Sequence, residues 1–191
     1  MSIPSTPKPA KLVIGVYTKD KDLVGQIAET LVHEYGEMDL VSGWIPFDFT
    51  TYYEREMGSP LYRRLFAFKG LIAQETLADI KVFTNEIEKD YLEDDRRRIN
   101  IDPGYMVHAR FVLATGKDFS HRIYIGKGIY GDLTLMFQKG RFQTLPWTYP
   151  DYADDAIQNF LYKVRDKYAF DMKQLRNSPE PNVKPDQALK H

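Results

Sequence analysis

Lys11-Leu12-Val13-Ile14-Gly15-Val16-Tyr17 is the stretch on which the fold turns. It is short, almost wholly apolar and rich in β-branched side chains. A strand with one face in water alternates polar with apolar positions. A run apolar at both parities reads as an interior strand covered on both faces. Asp20 or Asp22 can cap the helix that follows. In it Leu23, Ile27, Leu31 and Tyr35 recur every four residues, and Gly36 supplies the stop.

Further along the chain, Leu40 to Phe47 reads as a second strand that ends or lies at an edge, because Pro46 has no N–H for a ladder. Leu61 to Phe68 is a third strand. From Gln74 to Leu92, Leu77, Ile80, Phe83, Ile87 and Tyr91 recur at helical spacing. The charged run Glu93 to Arg98 reads as a solvated loop, and Asp102-Pro103-Gly104-Tyr105 as a turn. Met106 to Ala114 then reads as one half-buried strand with Val107, Ala109, Phe111 and Leu113 on its apolar side. His121 to Ile125 and Ile129 to Gln138 are further strands, and Lys139-Gly140 is a tight turn into a last one, Arg141 to Leu145. Ile157, Phe160, Leu161, Val164 and Tyr168 mark a third helix. The order β-α-β-β-α-β, then a β-meander and a helix, is that of an α+β protein built on a ferredoxin-like unit with a C-terminal extension. A more open α/β sheet is the alternative.

With 191 residues, a single domain over 11–176 is expected, between a disordered lead (1–10) and a disordered, proline-containing tail (177–191). The lead, MSIPSTPKPA, has no apolar core and is not a secretory signal, so a cytoplasmic protein without membrane contact is expected. Lys and Arg total 26 against 27 Asp and Glu, which argues against attachment to nucleic acid or membrane by bulk charge, though not against a local basic patch. Cysteine is absent, which removes disulfides, thiolate catalysis and thiolate metal sites.

Gly126-Lys127-Gly128-Ile129-Tyr130-Gly131 matches G-x-G-x-x-G but leads into a strand, whereas a dinucleotide fingerprint must open a helix. It reads as a glycine-permitted hairpin, with anion cradling by its N–H groups and Lys127 as the sharper alternative. No P-loop, H-E-x-x-H or G-x-S-x-G string occurs, and the histidines show no short metal spacing, so no metal site and no specific cofactor is indicated. What remains is a concentration of polar and aromatic residues beside strands and turns. Arg98, Asn100 and Asp102 share one side of an extended piece. His108 and Arg110, Arg122 and Tyr124, and Tyr130, Asp132 and Thr134 would share the polar face of successive strands. If the helices sit on one side, that face is a flat Tyr/Arg/His surface suited to phosphate pairing and base stacking. If the last helix covers it, the polar groups satisfy one another.

The chain resembles a bacterial and archaeal family classed as a domain of unknown function, some of whose members are labelled GTP-binding. The resemblance is carried by Tyr53 with Glu56-Met57-Gly58, Thr84-Asn85 with Glu88, and Asn100 to Tyr105. Further matches are Lys117-Asp118 with His121 to Tyr124, Gly128-Ile129-Tyr130, and Trp147 to Tyr152. It implies no activity, and only points weakly to a phosphate-bearing ligand.

The expected function is binding of a nucleotide or another phosphorylated small molecule on the polar, aromatic sheet face. Arg98, Arg122 and Lys127 would pair with phosphate. Tyr124, Tyr130 and Trp147 would stack, with Asn100 and Tyr105 as further ligand contacts. Glu56, Asp102 and His121 are the candidate acid, base or metal-contacting groups. The alternatives are an RNA-binding or protein-interaction module, or a homodimer formed through the same face.

Overall fold

The computed structural model describes residues 1–48 and 54–177. Its elements in chain order are β1 (Ala10–Thr18), α1 (Leu23–Tyr35), β2 (Met38–Val41), β3 (Ile45–Phe47), α2 (Glu54–Met57), β4 (Leu61–Ile72), α3 (Leu77–Asp90), β5 (Leu92–Glu93), β6 (Arg96–Arg97), β7 (Ile99–Val107), β8 (Arg110–Thr115), β9 (Arg122–Gly126), β10 (Ile129–Gln138), β11 (Arg141–Thr144) and α4 (Asp155–Asn177). This is a mixed α+β protein around one antiparallel nine-stranded sheet, ordered β11-β10-β8-β7-β1-β4-β2. β3 extends the β2 edge of β4, and β9 lies beside β10. Among the described residues no helix is long and apolar enough to cross a membrane.

The apolar run 11–17 is central, as its composition requires: β1 pairs with β4 on one side and β7 on the other. Its even positions Leu12, Ile14 and Val16 pack beneath Ile27 and Leu31 of α1 and Ile80 and Ile87 of α3. On the opposite face Val13, with Leu65, Met106, Phe111 and Leu135, is covered by Ile157, Leu161 and Val164 of α4. Each such side chain removed from water contributes roughly 1.5–3 kcal/mol, so the helices are held by both faces of one sheet.

Covering of both faces corrects the expectation of an open polar sheet face. His108 sits in the turn between β7 and β8, and Arg110 pairs opposite Val107 on the α3 side, away from Asp132 and Arg122. Three local readings also change. Leu40 to Phe47 is two short strands, both on β4. Met106 to Ala114 is a hairpin turning at His108-Ala109, without glycine or positive φ. Its turn is held from afar: Arg165 Nε donates to the His108 carbonyl at 2.9 Å and the Phe137 N–H to that of Ala109 at 2.8 Å. The run 93–98 contains a tight hairpin whose turn residues Asp94 and Asp95 have φ of 50° and 58°, a conformation Asp tolerates better than most residues. Gly126, Lys127 and Gly128, all with positive φ, form the β9–β10 hairpin, and Lys139-Gly140 the tight β10–β11 turn. The helix reaches Asn177, and the rest of the expected tail, 178–191, lies outside the described residues, as do Tyr52 and Tyr53.

Candidate functional site

The sheet is torn at one point, and a proline marks it. β7 and β8 pair from Val107↔Arg110 to Gly104↔Leu113 and then separate. β7 stays on β1 as far as Ile99, and β8 stays on β10 as far as Thr115. In an antiparallel ladder, residues of one parity turn both backbone groups to the same neighbour. Ile101 shows that the odd residues here face the gap, because its N–H and C=O are met by side chains rather than by β8. Pro103 has the same parity and no N–H to donate. At the last rung, a Cβ on Gly104 would stand 2.5 Å from the Val112 carbonyl oxygen, so the close approach of β8 there needs glycine. Asp102-Pro103-Gly104-Tyr105 is therefore no turn. It is strand interior at the point where a neighbouring strand peels away.

Helix α3 takes the place of the missing strand. Glu88 Oε1 accepts the Ile101 N–H at 2.7 Å, and Lys81 Nζ donates to the Ile101 carbonyl at 2.6 Å. The two residues are two helical turns apart on α3, so both reach the same gap. Lys81 Nζ also lies 3.6 Å from Glu88 Oε1 and 3.6 Å from Asp102 Oδ1.

Above this floor the separated strands enclose a cavity of about 760 Å³, within the range of small-molecule sites. Lys81, Asn85 and Glu88 form its base. Asn100 and Asp102 line the β7 side, and Leu113 to Lys117 with Asp132 the other. Tyr149 to Tyr152, with Tyr17 and Phe47, close over it. Helix α4 starts beyond this point and runs towards the other end of β1, where Asp171 meets Lys11. The cavity end of the sheet is thus left to the segment preceding the helix.

Three polar networks stand behind the lining. In the first, Arg63 is wholly buried, bonded to Asp151 and the Tyr152 hydroxyl and lying 4.8 Å and 4.2 Å from the centres of the Tyr17 and Tyr152 rings. Burial raises the Asp151 pKa from its ordinary value, against the pull of Arg63. In the second, Asp132 Oδ2 faces Arg122 Nε at 3.0 Å and His121 Nε2 at 3.2 Å, and Arg122 continues to the Tyr149 hydroxyl at 2.5 Å. His121 is stacked on Trp147, centroids 4.9 Å apart and planes 13° apart. Burial raises the Tyr149 hydroxyl pKa. In the third, Arg97 grips Glu56 through two parallel bonds of 2.7 and 2.6 Å and donates to Asn100 Oδ1 at 3.0 Å. The hydrogen bonds from Arg97 hold Glu56 below its usual pKa, whereas burial pushes that of Glu88 up despite Lys81.

Of the residues singled out from the sequence, Asn100 and Asp102 line the cavity. Glu56, His121 and Arg122 stand directly behind lining residues, and Trp147 stands behind His121. Tyr105 does not join them: it lies on the α3 face of β7, packed with Leu77, Val107 and Val112 in the core. Arg98 pairs with Asp20 at 2.9 Å, and Lys127 with Asp79 of α3. Tyr124 and Tyr130 pack on each other at the sheet edge, 5.5 Å between centroids, and neither lines the cavity. Tyr124, Tyr130, Arg122 and Asp132 do share one strand face, since Tyr130 lies opposite Tyr124 and Asp132 opposite Arg122, but Asp132 alone of the four reaches the cavity, and the His108-Ala109 turn takes His108 and Arg110 off that face.

Lys81, Arg97 and Tyr17 are site residues that the sequence reading does not single out. One signal was available: Lys81 and Glu88 recur seven residues apart beside the apolar stripe of α3, a charged pair where a core face should be dry. Among the described residues there is no group of three or more His, Asp or Glu placed to hold a metal ion. Comparison with curated proteins and with solved structures returns no match. Residues 8–168 match the family described as Domain of unknown function (DUF4416), and this chain belongs to that family.

Proposed function

We propose that this is a cytoplasmic, single-domain protein that binds a nucleotide or another small phosphorylated molecule in the cavity between β7 and β8. One observation carries the reading. A cavity of about 760 Å³ combines aromatic walls, Tyr17 and Tyr149, with the cations Arg97 and Lys117. The Arg97 guanidinium, oriented by Glu56 and Asn100, brings fixed positive charge to the cavity wall, and a charge held in place draws a phosphate with little further ordering. The ferredoxin-like reading of β1, α1, β2, β4, α3 and β7 agrees with this location, at the end of the unit where its last strand meets the meander. The test is a thermal-shift screen of nucleoside mono-, di- and triphosphates and sugar phosphates, with and without magnesium. Stabilisation by one phosphorylated class, reduced in Lys117→Ala, supports the reading, and no shift with any of them at millimolar concentration overturns it.

A protein-interaction role is favoured by a different observation. β9 pairs with β10 alone among the described strands and exposes Ile123 (73%) and Tyr124 (59%) at the sheet edge. Exposed apolar edge strands are templates for pairing with another chain. A doubled mass in light scattering that reverts in Ile123→Lys supports a homodimer through this edge, and a monomer at all concentrations removes it. The RNA version is weaker, because the Arg122 guanidinium is already held by Asp132, the Lys117 carbonyl and Tyr149. Unchanged mobility of single-stranded RNA at low salt would dispose of it.

A further inference from the structure

Side by side on one strand, the cavity holds an amide donor without a hydrogen-bond partner and a carboxylate that Lys81 approaches at ion-pair distance without a hydrogen bond. Asn100 is 4% exposed. Its Oδ1 is committed to Arg97, which fixes the amide orientation, and its buried Nδ2 has no hydrogen-bond partner. A buried N–H pair left unbonded costs about 1–3 kcal/mol, so such groups call for an explanation. Two residues on, on the same strand face, Asp102 keeps a quarter of its side chain exposed. Its described charged contact is Lys81 at 3.6 Å, beyond hydrogen-bond length. The Lys81 ammonium is already bonded to the Ile101 carbonyl at 2.6 Å.

The surroundings leave room for something to reach both groups. Both side chains line the cavity, and Tyr17, opposite Asn100 in the β1–β7 register, flanks the same space. The position over Gly15, opposite Asp102, is taken by the Arg63 guanidinium, so the approach to Asp102 is from the cavity. The matching ligand element must accept from an amide N–H and donate to a carboxylate within one short span. A phosphate alone accepts from Asn100 but is repelled by Asp102. An ammonium alone suits Asp102 and turns like polarity to the Asn100 N–H. Two hydroxyls on adjacent carbons do both, because each oxygen is donor and acceptor and rotates to suit.

We infer that Asn100 and Asp102 form a subsite for a vicinal diol, so that the ligand is a polyhydroxylated phosphate, a ribonucleotide or a sugar phosphate. Asn100 donates to one hydroxyl oxygen and Asp102 accepts from the hydroxyl protons. This inference rests on the phosphorylated-ligand reading above and adds the part of the ligand that the phosphate does not explain. A site built to bond hydroxyls rejects an analogue that lacks one, since its own buried groups are then left unpaired.

The experiment is titration calorimetry of the full chain with matched pairs: ribonucleoside and 2′-deoxyribonucleoside 5′-monophosphates, and ribose 5-phosphate with 2-deoxyribose 5-phosphate. Asp102→Asn keeps the side-chain shape and removes the carboxylate. Asn100→Asp keeps the acceptor for Arg97 and removes the donor. Circular dichroism melting of each variant verifies that it folds. The expected result is at least tenfold weaker binding of the deoxy member in the wild-type protein, with the difference lost in either variant. Equal binding within each pair, or discrimination that survives both substitutions, overturns the diol subsite while leaving the phosphorylated-ligand reading standing. The absence of binding by every phosphorylated probe overturns both.

Discussion

Arg63 shows at the scale of one residue what the candidate site demands of the fold. It is fully buried near the start of β4 and survives there because Asp151 and the Tyr152 hydroxyl bond it and two aromatic rings flank it. Gly15 makes the space: a Cβ there would come within 3.3 Å of the guanidinium. Arg63→Met should leave Asp151 buried without its cation and lower stability by about 3–5 kcal/mol in urea denaturation, where an exposed arginine would cost almost nothing. Glu56 makes a pH-dependent prediction. The hydrogen bonds from Arg97 depress its pKa from 4.5, so the stability it contributes is fully present above pH 4.5 and is lost as pH falls through the lower native value. The denaturation midpoints of the wild-type protein and Glu56→Gln should differ at neutral pH and converge in acid. A constant difference across that range would disprove the ion-pair origin.

At the scale of the element, the decisive object is the end of β7. Gly104→Ala would drive a methyl group against the Val112 carbonyl and should cost about 1–3 kcal/mol, as overpacking does. The Lys81–Glu88 pair should behave unlike an ordinary buried ion pair. Replacing both partners of such a pair by apolar residues is often harmless, but here the pair also satisfies the Ile101 N–H and carbonyl. Lys81→Met combined with Glu88→Leu should therefore remain destabilised by at least about 2 kcal/mol, because two backbone groups are left bare. Equality with the wild-type midpoint would show that these bonds are not needed. Local periodicity made α1, α3 and α4 readable, and glycine made the β9–β10 and β10–β11 turns readable. The His108-Ala109 turn was not, because its carbonyls are satisfied by Arg165 and the Phe137 N–H, residues far along the chain that no local pattern announces.

Across the whole molecule, Lys11 joins the layers. Its side chain is entirely buried, and its ammonium reaches Asp39 on β2 at 2.7 Å and Asp171 on α4 at 2.9 Å. Burial opposes the ionised form of Asp171, yet Lys11 and Lys167 together hold its pKa below the ordinary value. Lys11→Met should uncouple α4 from the sheet edge and lower stability by about 3–5 kcal/mol, with amide exchange in the last turns of α4 accelerating more than in α1. Uniform exchange changes in both helices would argue against a local staple. The apolar run of β1 and the stripes of α1, α3 and α4 follow from the sequence alone, because burial imposes on each segment a pattern that it carries by itself. The candidate site did not follow in that way. Asn100 and Asp102 were visible as polar strand residues, but their partners come from α3, β8, β10 and the segment before α4. Those groups converge only where Pro103 withholds an N–H and two strands part, and a missing hydrogen bond acquires its meaning only when the neighbouring strand is in view.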